Sequence, residues 1–249
     1  MSEQNPFESP ATVVGGFDAN GRNVDGGRGL EWLKQGWELF VKNPGVWIAI
    51  AVIMLVIIVV LSLVPFLGSM VVNFLLPVFV GGILLGCKSL SDGGELRIDH
   101  LFAGFKQNTG KLILVGVFYL IGVVVIVGVT FVIGGGAALT GGLMGRGAGV
   151  GMALGGLFLA MLVMLVLLVP LAMAVWFAPA LVVFHNIAPL EAMKGSFMAC
   201  LKNVVPFLVY GVIVFVLSII AAIPFGLGFL VLGPVLLGST YAAYVEIFE

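Results

Sequence analysis

The chain offers few side chains that could move protons, attack a carbonyl or hold a metal. Its histidines are His100 and His185 and its cysteines are Cys87 and Cys200. Neither pair has the HxxxH or CxxC spacing that brings ligands to one ion. Asp99 and Glu191 are the carboxylates expected near the two histidines, an arrangement that suits surface or capping roles. No serine stands in a G-x-S-x-G context, and no glycine-rich segment runs into Lys-Ser or Lys-Thr. The sequence therefore points to no catalytic, cofactor-binding or metal-ligating residue, and to a protein that is not an enzyme and carries no cofactor. What stands out is positional: Asn43, Asn108 and Asn203 at the borders of apolar runs, Asn73 inside one, His185 at the end of another, and Pro77, Pro170 and Pro234 within them.

The elements that must position these residues are long and greasy. Hydrophobic residues make up 61% of the chain and charged ones 9%, against about 25% charged in soluble domains. No Asp, Glu, Lys or Arg occurs from Asn43 to Cys87 or from Asn203 to Val245, and Leu112 to His185 holds only Arg146. A helix drawn through the first of these runs would be roughly 68 Å long, more than twice the hydrocarbon core of about 30 Å. Each run must fold back, and turn material lies near each centre: "PFLGS" (65–69), the glycine-rich 134–156 and "PFGLG" (224–228). The sequence thus predicts an all-α integral membrane protein with spans near 45–66, 69–88, 112–133, 157–184, 204–223 and 227–245. Segment 134–156, with 11 glycines, is expected as a flexible outer loop or the start of the fourth span, the alternative being a re-entrant or membrane-packed segment; Gly141, Gly145 and Gly149 have the four-residue spacing that permits close helix contact in lipid.

Ten of the eleven Lys and Arg, and all twelve acidic residues, fall on one side of this six-span arrangement; Arg146 alone lies opposite. The positive-inside rule then puts both termini in the cytoplasm. Residues 1–29 are polar and are expected as a disordered tail, followed by one domain over 30–249. Both cysteines fall at cytoplasmic span ends, where reduced thiols are expected. A net charge of −1 argues for membrane lipids rather than nucleic acid as partners.

A pattern recurs ahead of spans 1 and 5. Leu30, Leu33, Trp37, Phe40 and Val41 match Leu190, Met193, Phe197, Cys200 and Leu201 at the same offsets, which lie on one helical face. Glu31, Lys34, Lys42 and Asn43 likewise match Glu191, Lys194, Lys202 and Asn203. A looser copy, Ile98, Phe102, Phe105 and Asn108, precedes span 3, and Pro77, Pro170 and Pro234 sit in the even-numbered spans. The unit reads as an interfacial amphipathic helix, an Asn and a transmembrane hairpin, occurring three times near 30–90, 96–186 and 189–249. Asn is expected to end each surface helix in the left-handed conformation it tolerates. Trp32, Trp37 and Trp47 suit an interfacial aromatic belt. Pro77 in the second span, with Pro170 and Pro179 in the fourth, suggests kinked inner helices or a cavity among spans 2, 4 and 6.

The stretches "GRGLEWLKQGWELFVKNPGVWI", "WFAPALVVFHNIAPLEAMKGSFMACLKNVVPFLVYG" and "LGPVLLGSTYAAYVEIF" resemble an uncharacterised family of proteobacterial inner-membrane proteins. That family looks related to the YciC-like and glycerophosphodiester phosphodiesterase membrane-domain group. The resemblance implies the bacterial inner membrane and a six-span fold, and it brings no catalytic residue with it. Two functions follow. A structural or assembly component of the membrane, as a homo-oligomer or with another inner-membrane protein, is the first expectation; a passive carrier or channel for lipid or a small hydrophobic or neutral solute is the second. A wide cavity open to lipid or solvent would favour the carrier, and a closed, dry bundle the assembly subunit.

Overall fold

The computed structural model describes residues 16–65, 67–143 and 148–249. It contains nine α-helices among the described residues: α1 Arg28–Lys42, α2 Pro44–Ser62, α3 Leu67–Ser91, α4 Thr109–Leu143, α5 Ala148–Trp176, α6 Ala178–His185, α7 Pro189–Lys202, α8 Val204–Ala222 and α9 Phe229–Phe248. A 3₁₀ helix, Ile98–Phe105, lies between α3 and α4. Six stretches are long and apolar enough to cross a membrane: α2, most of α3, α4, α5 with α6, α8 and α9.

The packed core is not spread evenly along the spans. Its fully buried side chains are Trp32, Trp47, Phe177, Tyr244 and Phe248, together with aliphatics such as Ile83, Leu101 and Leu112. They come from α1, the start of α2, the 3₁₀ helix, the start of α4, Phe177 ahead of α6 and the carboxyl-terminal halves of α3 and α9, all at the end of the bundle where the short helices gather. Toward the other end the helices present Val, Leu, Ile and Phe outward, as lipid-facing surfaces do.

The short helices dock in a regular way. α1 packs on α9, where Gly36 lets its backbone approach Val235 and Ser239. The 3₁₀ helix packs on α3, with Gly104 against Val78 and Gly82 against His100. α7 packs on α5, and Ser196 Oγ donates to Met173 O (2.6 Å) while accepting from Phe177 N (2.9 Å). At these glycines an added Cβ would strike a carbonyl of the facing element, which is the contact small residues permit.

Several expectations are corrected. Segment 134–156 is not a loop across its length: α4 runs to Leu143 and α5 resumes at Ala148. Gly141 and Gly149 bring the two backbones together, so glycine here serves close helix contact. Residues 144–147, including Arg146, lie outside the described residues, as do 1–15. The remainder of the expected tail is tied down: Asp18 N donates to Phe248 O, Arg22 N to Ile247 O and Val24 N to Asn203 Oδ1. Trp32 and Trp47 are buried, because their indole N–H groups find Glu246 Oε2 (2.7 Å) and Leu39 O (3.1 Å); Trp37 alone of the three is exposed.

Candidate functional site

The three border asparagines do different work. Asn203 is fully buried; its Oδ1 accepts from Val24 N (2.8 Å), and its Nδ2 donates to Arg22 O and Ala199 O (both 2.9 Å). Asn43 caps α2 loosely, accepting from Val46 N at 3.5 Å and donating to Leu96 O at 3.4 Å. Asn108 donates to Val182 O (3.1 Å). Of the three only Asn108 is left-handed (φ 57°); Asn43 and Asn203 have φ −152° and −116°. Their common task is joining separate elements by side-chain hydrogen bonds, rather than adopting one backbone shape.

His185 closes the end of α6. Its Nε2 lies 2.5 Å from Tyr244 Oη, and Tyr244 Oη donates to Glu249 Oε1 (3.0 Å). The carboxylate beside it is thus Glu249, not Glu191. Phe17 stacks on the imidazole at a centroid distance of 3.6 Å. His100 Nδ1 accepts from Arg97 N (3.0 Å) and caps the 3₁₀ helix. Burial pushes the Cys200 thiol up to about 12, so it stays protonated and inert near neutral pH. Among the described residues no group of three or more His, Cys, Asp or Glu is placed to hold a metal.

A concavity lies between α3, α4, the α5–α6 junction and α9, with a volume of about 460 Å³. Its walls include Asn73, Pro77, Tyr119, Trp176, Pro179 and Thr240. Pro77 is roughly 15 Å along α3 from its Leu67 end, which is about half the depth of a bilayer core. Pro170 and Pro234 do not line it. Pro179 does, and the interruption in that span falls just before it, at Phe177, where the backbone leaves helical geometry (φ −102°, ψ −4°). A proline donates no N–H to the preceding turn, which permits the break. Asn73 stands almost two turns inside α3 and faces this space.

Among the described residues no Asp, Glu, Lys, Arg or His lines the cavity. Its polar groups are an amide, a phenol, an indole N–H and a hydroxyl. Thr240 Oγ1 donates to Leu236 O (2.9 Å). Tyr119 Oη and Trp176 Nε1 have no hydrogen-bond partner among the described residues. An apolar chamber with a few polar groups is the usual form of a small-molecule site. Sequence reasoning singled out Asn73, Pro77 and Pro179 but missed Trp176. The signal was present in "VWFAPA" (175–180), an aromatic pair ahead of a proline within an apolar run.

With six membrane-length apolar helices among the described residues, the lipid phase is the medium of this fold. The chain is an integral membrane protein. Over 224 residues it is 29% identical to a probable inner membrane protein of Burkholderia thailandensis, an alignment covering 87% of this chain and 82% of that one. No family model matches the chain, and no solved structure matches it.

Proposed function

We propose that the protein is a non-enzymatic component of the bacterial inner membrane that holds a lipid or a small hydrophobic or neutral solute in the chamber between α3, α4, α5, α6 and α9. Of the two functions expected from the sequence, the chamber favours the second, a passive carrier, over a closed structural bundle. The observation that carries this reading is a volume of about 460 Å³ at mid-depth that is not filled by side chains. The Burkholderia thailandensis relative supports the inner membrane as the location, and the segregation of Lys and Arg supports cytoplasmic termini.

The triple repeat of a foot helix and a hairpin supports a chamber on a common axis. The foot ahead of the first hairpin, α1, lies on the second helix of the third hairpin, α9; the 3₁₀ helix of the second unit lies on α3 of the first; α7 of the third lies on α5 of the second. Each foot therefore docks on the unit before it in cyclic order. The outward pattern agrees as well, since Leu30 and Val41 are exposed like Leu190 and Leu201, while Phe40 and Cys200 are buried. The chamber lies where the second helices of the three hairpins meet.

The test is to purify the protein in detergent and identify co-eluting small molecules by mass spectrometry. A defined neutral species should accompany the wild type and be lost from Val80→Trp, which fills the chamber wall from α3. Retention of the same species by a folded Val80→Trp protein would defeat the reading.

A further inference from the structure

Resting on the reading that the chamber is a binding site, we propose that it takes an uncharged amphiphile of the bilayer, with a hydroxyl or carbonyl head on an apolar tail. The molecule enters sideways through the groove between α5 and α8, past the indole of Trp176.

The route follows from a break in the cyclic order. The first helix of each hairpin should close against the second helix of the preceding unit. α2 packs on α9, and α4 packs on α3. The third such seam, α8 against α5, stands open, and a groove of about 350 Å³ occupies it. Val169, Met173 and Trp176 form one wall, Leu208 and Gly211 the other, and Cys200 of α7 the end. Gly211 has nothing within van der Waals reach of where a Cβ would stand, and Leu208 is exposed. The groove thus faces the lipid, and only one of three equivalent seams is open in this way.

Groove and chamber share Ala172 and Trp176. The indole stands edge-on to Phe207 and Tyr210, with centroids 5.9 and 6.2 Å away and interplanar angles of 80° and 90°. Trp176 is also the last residue of α5, directly ahead of the break at Phe177. α3 and α9 carry Pro77 and Pro234 without such an interruption. The side chain dividing the two volumes therefore stands at the junction of two helical segments, where it can swing without disturbing a continuous helix.

The chemistry of the chamber selects the molecule. An ionised head would give up its hydration at mid-depth with no opposite charge to meet it. A purely apolar molecule would leave Tyr119 Oη and Trp176 Nε1 unpaired where no bulk water is present. A hydroxyl or carbonyl satisfies both. At about 30 Å³ per water-sized group, the chamber has room for roughly fifteen such groups. That accommodates a head and the first part of a tail, with the remainder lying in the groove.

Nanodiscs of phosphatidylcholine containing the full chain provide the test. One probe is dioctanoylglycerol with a diazirine in an acyl chain; the other is phosphatidic acid with the same chains. Peptide mass spectrometry after illumination at increasing delays gives the labelled residues and the rate. The diacylglycerol probe should label α3 and α9 near Pro77 and Leu237, and unmodified dioctanoylglycerol should compete; phosphatidic acid should label there at least tenfold less. Gly211→Trp, or Leu208→Trp should the first not fold, should slow labelling at least fivefold with the same final extent. Trp176→Ala should speed it. Tyr119→Phe should weaken competition by about fivefold, as expected for one neutral hydrogen bond. Equal labelling by phosphatidic acid would overturn the uncharged class, and an unchanged rate in folded groove variants would overturn the sideways route; both results leave a binding chamber in place. Absence of chamber labelling by either probe in the folded wild type would overturn the binding reading itself.

Discussion

At the residue scale, the strongest anchors are side chains whose polar atoms tie separate segments together. Asn203 makes three hydrogen bonds of 2.8–2.9 Å from a fully buried position and holds residues 22–24 against the end of α7. Asn203→Ala strands one N–H and removes a donor from two carbonyls, so it should cost about 1–3 kcal/mol. It should also expose the segment before α1 to limited proteolysis. Asn43→Ala removes contacts of 3.4–3.5 Å, at the weak end of hydrogen-bond geometry, and should cost about 0.5–1 kcal/mol as a helix cap. Thermal melts of both variants in the same detergent check the order. Cys200 provides a second test. Its thiol is held near 12 against an ordinary 9.0 because burial disfavours the thiolate. The unfolded chain therefore releases this proton first as pH rises. The contribution to stability falls between about pH 9 and pH 12, by about 1.4 kcal/mol per unit. Cys200→Ala should flatten the alkaline side of a stability–pH curve relative to the wild type, while leaving it unchanged below pH 8. A parallel fall in both proteins would refute the assignment.

At the element scale, period and charge made most of the fold legible. The gaps between charged residues predicted six spans, and six membrane-length helices are present. The matched feet before spans 1 and 5 are α1 and α7. The details that escaped were those decided by partners rather than by composition. Glycine in 134–156 reads as a loop former, because isolated glycine weakens helices, or, at four-residue spacing, as a surface for close helix contact; only the facing helix selects the second, as at Gly141 and Gly149. Trp32 and Trp47 read as interfacial because tryptophan suits that zone, but each found an acceptor within the protein. Likewise Pro170 and Pro179 both suggested a cavity, and only packing decides that Pro179 lines it. The same logic separates two glycines in an experiment. A Cβ at Gly36 would collide with Val235 O and press on Ser239, whereas Gly233 on α9 has open space around it. Gly36→Ala should therefore destabilise the α1–α9 contact by about 1–3 kcal/mol. Gly233→Ala should be neutral or stabilising by up to about 1 kcal/mol. Circular dichroism melts of the two variants distinguish them.

At the scale of the whole molecule, the middle hairpin is out of proportion to the other two. α2 and α8 each have 19 residues, roughly 28 Å, which matches a bilayer core. α4 has 35, roughly 52 Å. The excess lies at one end. Gly116 of α4 touches Asn73 and Phe74 of α3; beyond that point α3 continues for roughly 9 Å to Leu67, while α4 continues for roughly 40 Å to Leu143. Along that extension α4 meets α5, through Gly134 with Ala160, Ala137 with Gly156 and Gly141 with Gly149. The chamber, the groove and the clustered core contain no described residue between Tyr119 and Val169. The extension should therefore be separable from the rest. Replacing residues 136–155 with a short Asn-Gly turn leaves α4 and α5 long enough to span and removes no chamber residue. The shortened protein should insert, melt within a few degrees of the wild type and retain its co-purifying molecule. The large exposed side chains removed with the tip, such as Leu139, Leu143 and Leu154, would then be tied to a role outside the chamber. Loss of folding on this excision would instead make the long pair part of the scaffold that holds the core.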